Sequence, residues 1–108
     1  MANTFTSAAT GSTTAVTTLY TCPAATSAVI HAMYLSNVDG TNDATANVSL
    51  SPSANFDTRR FILKTVDVPA DTTVVIEKPI NLGAADKLET QASANDDIDV
   101  FASILEIT

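Results

Sequence analysis

The sequence predicts an all-β domain, a sandwich or barrel of seven or eight strands. Three observations lead there. Short runs rich in β-branched and aromatic residues recur along the 108 residues, separated by turn signals about every 8–12 residues. Several runs alternate apolar and polar residues, so that each parity takes one face of a strand. No stretch carries a sustained helical period, and only residues 84–91 could wind a single turn.

Residues 1–13, MANTFTSAATGST, are small and polar apart from Phe5, and Gly11 interrupts any pattern. We expect a flexible N-terminal arm here, with the β-domain spanning residues 14–108. Phe5 is then a candidate anchor on a neighbouring subunit. The first strand falls in residues 14–22. Its Val16 and Leu19 differ in parity, which calls for a bulge or bend, and Pro23 ends it because proline has no N–H for a ladder.

Residues 22–50 organise the rest. Residues 27–37 read as a strand apolar at both parities, with Val29, Met33 and Leu35 on one and Ile30 and Tyr34 on the other. Such a strand is expected to be buried on both sides or to lie against a partner chain. Residues 44–50 alternate cleanly, with Ala46, Val48 and Leu50 set against Thr45, Asn47 and Ser49. Asp39-Gly40 between them predicts a tight type I′ hairpin, which needs positive φ at both central residues.

Residues 51–57 form a polar loop. Residues 59–68 are the next strand, with Phe61 and Leu63 opposite in parity to Ile62 and Lys64. Residues 69–72 are a turn with Pro69 in its second position. Residues 73–78 are a short strand with Val74 and Ile76 on one face. Residues 79–86 connect onward, with Gly83 suited to positive φ. Residues 87–92 are a strand with Leu88 facing in. Residues 98–107, IDVFASILEI, close the domain, again apolar at both parities and so central or at an interface.

Composition limits the function. One domain of this size buries enough surface to fold without disulfides or metals. Charged residues make up 16%, the net charge is −7 and the pI is about 4.2. Five basic residues make no footprint for nucleic acid or an anionic membrane. Cys22 is the only cysteine, so neither an intrachain disulfide nor a cysteine zinc site is expected. Without a signal-like start or a long apolar run, the chain is expected to be soluble and cytoplasmic when made.

No catalytic constellation is legible, so an enzyme is not expected. The single histidine, His31, shares parity with Met33 and Leu35 and is read as a core residue with a hydrogen-bond partner. Cys22 is read as a small hydrophobe. Residues 39–43 and 95–99 cluster oxygen ligands without the spacing of a calcium loop, and are read as a turn and a solvated loop. Asn47-Val48-Ser49 fits the glycosylation triplet, which has no force without secretion. No cofactor is expected.

The runs Leu19-Tyr20-Thr21-Cys22-Pro23-Ala24, Ser27-Ala28-Val29-Ile30, Leu35-Ser36-Asn37, Thr45-Ala46-Asn47-Val48-Ser49-Leu50, Val68-Pro69-Ala70-Asp71-Thr72 and Ser103-Ile104-Leu105-Glu106-Ile107 together resemble small β-sandwich virion proteins of tailed bacteriophages. The resemblance spans residues 19–107 and rests on turn and strand signals. It implies a single-domain antiparallel β-sandwich, jelly-roll-like, that forms homo-oligomers. It defines no functional residues. The implied role is a capsid decoration (cement) protein, made in the bacterial host cytoplasm and carried in the virion. Its partners would be itself, as a homotrimer, and the major capsid protein or other virion proteins. The alternatives are a neck or tail component and, from another class, a carbohydrate-binding β-sandwich module, for which aromatic residues are few. Candidate subunit or capsid contacts are Phe5, Tyr34, Phe101, Leu105 and Ile107, the last three read first as core.

Overall fold

In a computed structural model, which describes residues 2–52 and 59–108, nine strands follow one another: β1 (Asn3–Ser12), β2 (Thr17–Thr21), β3 (Ser27–Asn37), β4 (Ala44–Ser51), β5 (Arg60–Val68), β6 (Thr73–Ile76), β7 (Ile80–Leu82), β8 (Lys87–Ala92) and β9 (Ile98–Ile107). They build two antiparallel sheets. One has the order β1-β9-β3-β6, with β7 also on β3; the other has the order β2-β8-β4-β5.

β6 and β7 are one edge strand in two pieces. β6 pairs with Met33–Ser36 and β7 with Ala28–Ile30 of the same β3. Pro79, between them, cannot donate to the ladder. Counting the two pieces as one gives eight strands in two four-stranded sheets, the arrangement of a jelly roll. The expectation of a β-sandwich therefore holds.

The inward parities of both sheets meet in one core. Ile30, Met33 and Leu35 of β3, Val48 of β4, Leu88 of β8, and Ile98, Val100 and Ile104 of β9 are all fully buried. Each such side chain contributes roughly 1.5–3 kcal/mol through removal from water. Leu88 faces in as expected, and the irregularity expected near Leu19 appears as a register shift between Thr18 and Tyr20.

The structure corrects several expectations. β3 and β4 do not form a hairpin: they are internal strands of different sheets, so residues 38–43 arch from one sheet to the other. Gly40 has no positive φ, as a type I′ turn would require. Side chains shape the arch instead. Asn37 Nδ2 donates to the carbonyls of Asn42 and Val68, both at 2.9 Å, and Asn37 Oδ1 accepts from the Asp39 N–H at 2.9 Å.

The two-faced apolarity of β3 has a local cause. The pairing with β9 shifts register between Ile30 and Ala32, so His31 is the extra residue of a bulge. Ala28 and Ile30 point inward before it, and Met33, Leu35 and Asn37 after it. The bulge switches parity, and His31 is exposed rather than in the core.

The expected arm is also different. Residues 3–12 form β1 and pair along their whole length with β9, from Asn3 with Ile107 to Ser12 with Ile98. The Ala2 carbonyl accepts the Thr108 N–H at 3.0 Å. β9 is central in its sheet, but only Ile98, Val100, Ala102 and Ile104 enter the core. Phe101, Leu105 and Ile107, read first as core, face outward. Pro69 opens its turn in the first position, since its carbonyl accepts the Thr72 N–H at 3.1 Å. Positive φ falls on Asp71 and Ala85, not on Gly83. The expected loop at 51–57 lies mostly outside the described residues.

Candidate interaction surface

The outer face of the β1-β9-β3-β6 sheet is unusually apolar. Antiparallel pairing places directly opposite residues on the same face, so the registers define rows across it. One row runs Val75, Tyr34, Phe101 and Ala9, over β6, β3, β9 and β1. A second runs Val29, Leu105 and Phe5, over β3, β9 and β1. Ile107, between Ser27 and Asn3, closes that end. All five candidate contact residues thus share one face. Val29, Val75 and Ala9 join them and were not singled out in the sequence. For Val75 the signal was an apolar residue at the parity opposite Val74 and Ile76; Val29 shares the parity of Met33 and Leu35, and only the bulge at His31 turns it outward.

The aromatic groups on this face touch each other. The Tyr34 and Phe101 rings are 6.0 Å apart and tilted by 49°, with 40% and 42% of their surface exposed. Phe5 stacks on His31 with ring centroids 5.9 Å apart, yet remains 75% exposed. The His31 bulge positions this contact, because it turns the imidazole outward beside β9 and β1.

An open cleft of about 360 Å³ lies over the first row, lined by Ala9, Thr10, Tyr34, Ser36, Asp99, Val100 and Phe101. Asp99 supplies charge at its rim. The Ser36 hydroxyl meets that of Thr73 at 3.0 Å. Such a face offers apolar burial and aromatic anchors, the chemistry of protein association.

The reactive side chains do not converge. Cys22 is buried, its thiol directed to the Thr26 carbonyl at 3.3 Å. Burial, then the charges of Asp86 and Glu106, push the thiol up from its ordinary value, which suits the expected small hydrophobe and not a nucleophile. His31 stands on the outer face and Cys22 in the core, so the two are not brought together. Among the described residues, no group of three or more His, Cys, Asp or Glu side chains is placed to hold a metal ion. Residues 98 and 99 of the expected 95–99 loop belong to β9; in the turn before it, Asn95 Oδ1 accepts the Thr14 N–H at 2.9 Å and the Asp97 carbonyl accepts the Val38 N–H at 2.8 Å. No helix among the described residues is long and apolar enough to cross a membrane.

No protein-family model matches the chain, and a search of curated proteins finds no match.

Proposed function

We propose that this protein is a structural component of a bacteriophage virion, a decoration protein that braces the head shell by binding between capsomers. The observation that carries the reading is the outer face of the β1-β9-β3-β6 sheet. It gathers Phe5, Tyr34, Phe101, Leu105 and Ile107 on one surface of low charge. A rigid jelly roll of this kind acts as a clamp: it gives up apolar surface to two neighbours at once and so couples them. Partners of standard size bury about 1,600 Å² per contact, and repetition over a shell multiplies the effect. The fold itself supports the reading only by analogy, since jelly rolls also serve as lectins.

The test is co-assembly with a phage major capsid protein. Purified shells should retain the chain in fixed proportion to capsid protein, and should survive heating better with it than without it. The double variant Tyr34→Asp and Phe101→Asp should fold but fail to bind. Retention on tails or necks instead of shells would select the neck or tail alternative. Absence from every particle would overturn the virion reading.

The Tyr34–Phe101 cleft favours one second reading, a saccharide-binding module. Sugar C–H faces pack on aromatic rings, while Asp99 and Ser36 could accept hydroxyl hydrogens. Binding to a glycan array, lost on Tyr34→Ala, would select it.

A further inference from the structure

The four sheet edges are not equally protected. Unpaired edge strands invite pairing, and proteins blunt them with shortness, charge, proline or bulges. β2 has five residues and a register shift. β5 carries Arg60, Lys64 and Asp67, with two irregularities in its pairing. On it, the Arg59 guanidinium and the Lys64 ammonium flank the Phe61 ring at 4.5 and 4.9 Å. The β6–β7 edge is broken at Pro79. β1 has none of these features. Its ten residues, NTFTSAATGS, carry no charge and no proline and pair with β9 without a shift. Among the described residues, no strand pairs with its outer margin.

We propose that β1 pairs antiparallel with β1 of a second copy, about a two-fold axis at Ser7, to join the two β1-β9-β3-β6 sheets into one. Three observations bear on a second copy as the occupant: the first permits it, and the other two select it. The first is charge. Two molecules of net charge −7 repel each other, and the β1 margin lets them meet without bringing acidic side chains face to face.

The second is shape. With Ser7 opposite Ser7 of the copy, Phe5 falls opposite the copy's Ala9, and Ala9 opposite the copy's Phe5. Phe5 is the most exposed large hydrophobic side chain described, and the open cleft lies beside Ala9 and Phe101. Phe5 of one molecule and Phe101 of the other are then two strands apart, about 9.6 Å, close enough for their rings to meet over an alanine once Phe5 turns from its stack on His31 toward the margin. Each molecule offers both the knob and the hole, as an isologous contact requires. The apolar row becomes continuous: Val75, Tyr34, Phe101 and Ala9, then Phe5, Leu105 and Val29 of the copy.

The third is area. Ten strand residues span about 34 Å and the thinnest dimension of the molecule is 19 Å, so a flush edge contact covers roughly 650 Å² on each copy, about 1,300 Å² in total, within the range of specific interfaces. Main-chain hydrogen bonds along the strands provide register, as in other strand additions. The inference does not rest on the virion reading, and it gives a two-fold dimer in place of the trimer that the resemblance implies.

The test is solution mass by light scattering after size exclusion, with variants at exposed β1 positions. The natural chain should run at twice 11.2 kDa. Phe5→Ala should weaken the dimer on the order of tenfold or more, and Ser7→Lys should give a monomer with unchanged circular dichroism, its melting temperature that of the natural chain diluted to monomer. Under mild oxidation Ser7→Cys should form a disulfide-linked dimer and Ala9→Cys should not, because Ala9 faces Phe5 and not its own equivalent. A monomer or trimer for the natural chain would overturn the proposal. So would a dimer indifferent to Ser7→Lys, or one cross-linked equally through both cysteines. Loss of capsid binding with the dimer intact would count against the virion reading alone.

Discussion

The Tyr20 hydroxyl donates to Glu106 Oε2 at 2.5 Å, and this bond crosses from one sheet to the other. Tyr20 belongs to β2 and Glu106 to β9, so the pair ties the two sheets together near the end of β9. Burial first, then the bond to Glu106, hold the pKa of the Tyr20 phenol well above its ordinary value. Replacing Tyr20 by Phe leaves the carboxylate without this donor and should cost about 1–3 kcal/mol. Urea denaturation should show a lower midpoint with an unchanged slope. Because the phenol is raised in the folded state, its stabilising effect is complete below the unfolded value and fades as pH rises beyond it. The gap between the natural chain and Tyr20→Phe should therefore narrow in strong alkali.

Asn37 governs the arch. It is 3% exposed, and its three side-chain hydrogen bonds join the end of β3, the arch and the end of β5. Asn37→Ala should leave a buried carbonyl and an arch N–H unmatched and cost about 2–3 kcal/mol. Hydrogen exchange should show residues 38–43 losing protection first. A loss below 0.5 kcal/mol, within the usual range of surface substitutions, would show that the arch stands without this residue.

Strand positions were legible because burial imposes a period, and β3 lies where its residues suggest. The connection after it was not. Asp39-Gly40 signals a reversal of the chain, but a reversal within one sheet and an arch between two begin with the same residues. What separates them is the reach of Asn37 to Val68, thirty-one positions away, and no local pattern records it. β1 was illegible for another reason: its threonines, serines and alanines have little apolar content, and they are extended because β9 supplies a ladder. His31 illustrates the opposite error. Its parity matches Met33 and Leu35 only in a strand without a bulge, and the apolar residues at both parities of β3 are themselves the mark of one. The contact candidates emerged as apolar residues in excess of what a core needs, and that excess identified Tyr34 before its face was known.

Backbone strain supplies another prediction. Thr65 has φ of 53°, a region costly for a β-branched residue. Its N–H donates to Asn47 Oδ1 at 2.6 Å, which holds it there. Thr65→Gly keeps that donor and removes the steric cost, so it should stabilise the protein by about 0.5–1 kcal/mol. Thermal melting checks the sign: a lower melting temperature would show that the Thr65 side chain contributes more than its backbone costs.

Acid should act through Asp39. Its carboxylate accepts from the N–H groups of Thr41 and Asn42 and from Asn42 Nδ2, and these bonds hold it below the usual aspartate value, the Thr41 bond most. A group depressed in the folded state stabilises above its unfolded value and loses that effect as pH falls through the folded one. Asp39→Asn should therefore flatten the acid limb of a plot of melting temperature against pH, with the two proteins converging at the lowest pH. Parallel curves would exclude this role.

The break at Pro79 has a consequence for growth. A sheet that could be extended at both margins would add copies without limit and end as a fibre. Here the margin opposite β1 is divided into a four-residue and a three-residue piece, too short and too irregular to template another chain. Addition at β1 uses up the open side of each molecule, and the product has none left. Association of the proposed kind through this sheet would therefore be self-terminating, its count held at two by the placement of one proline.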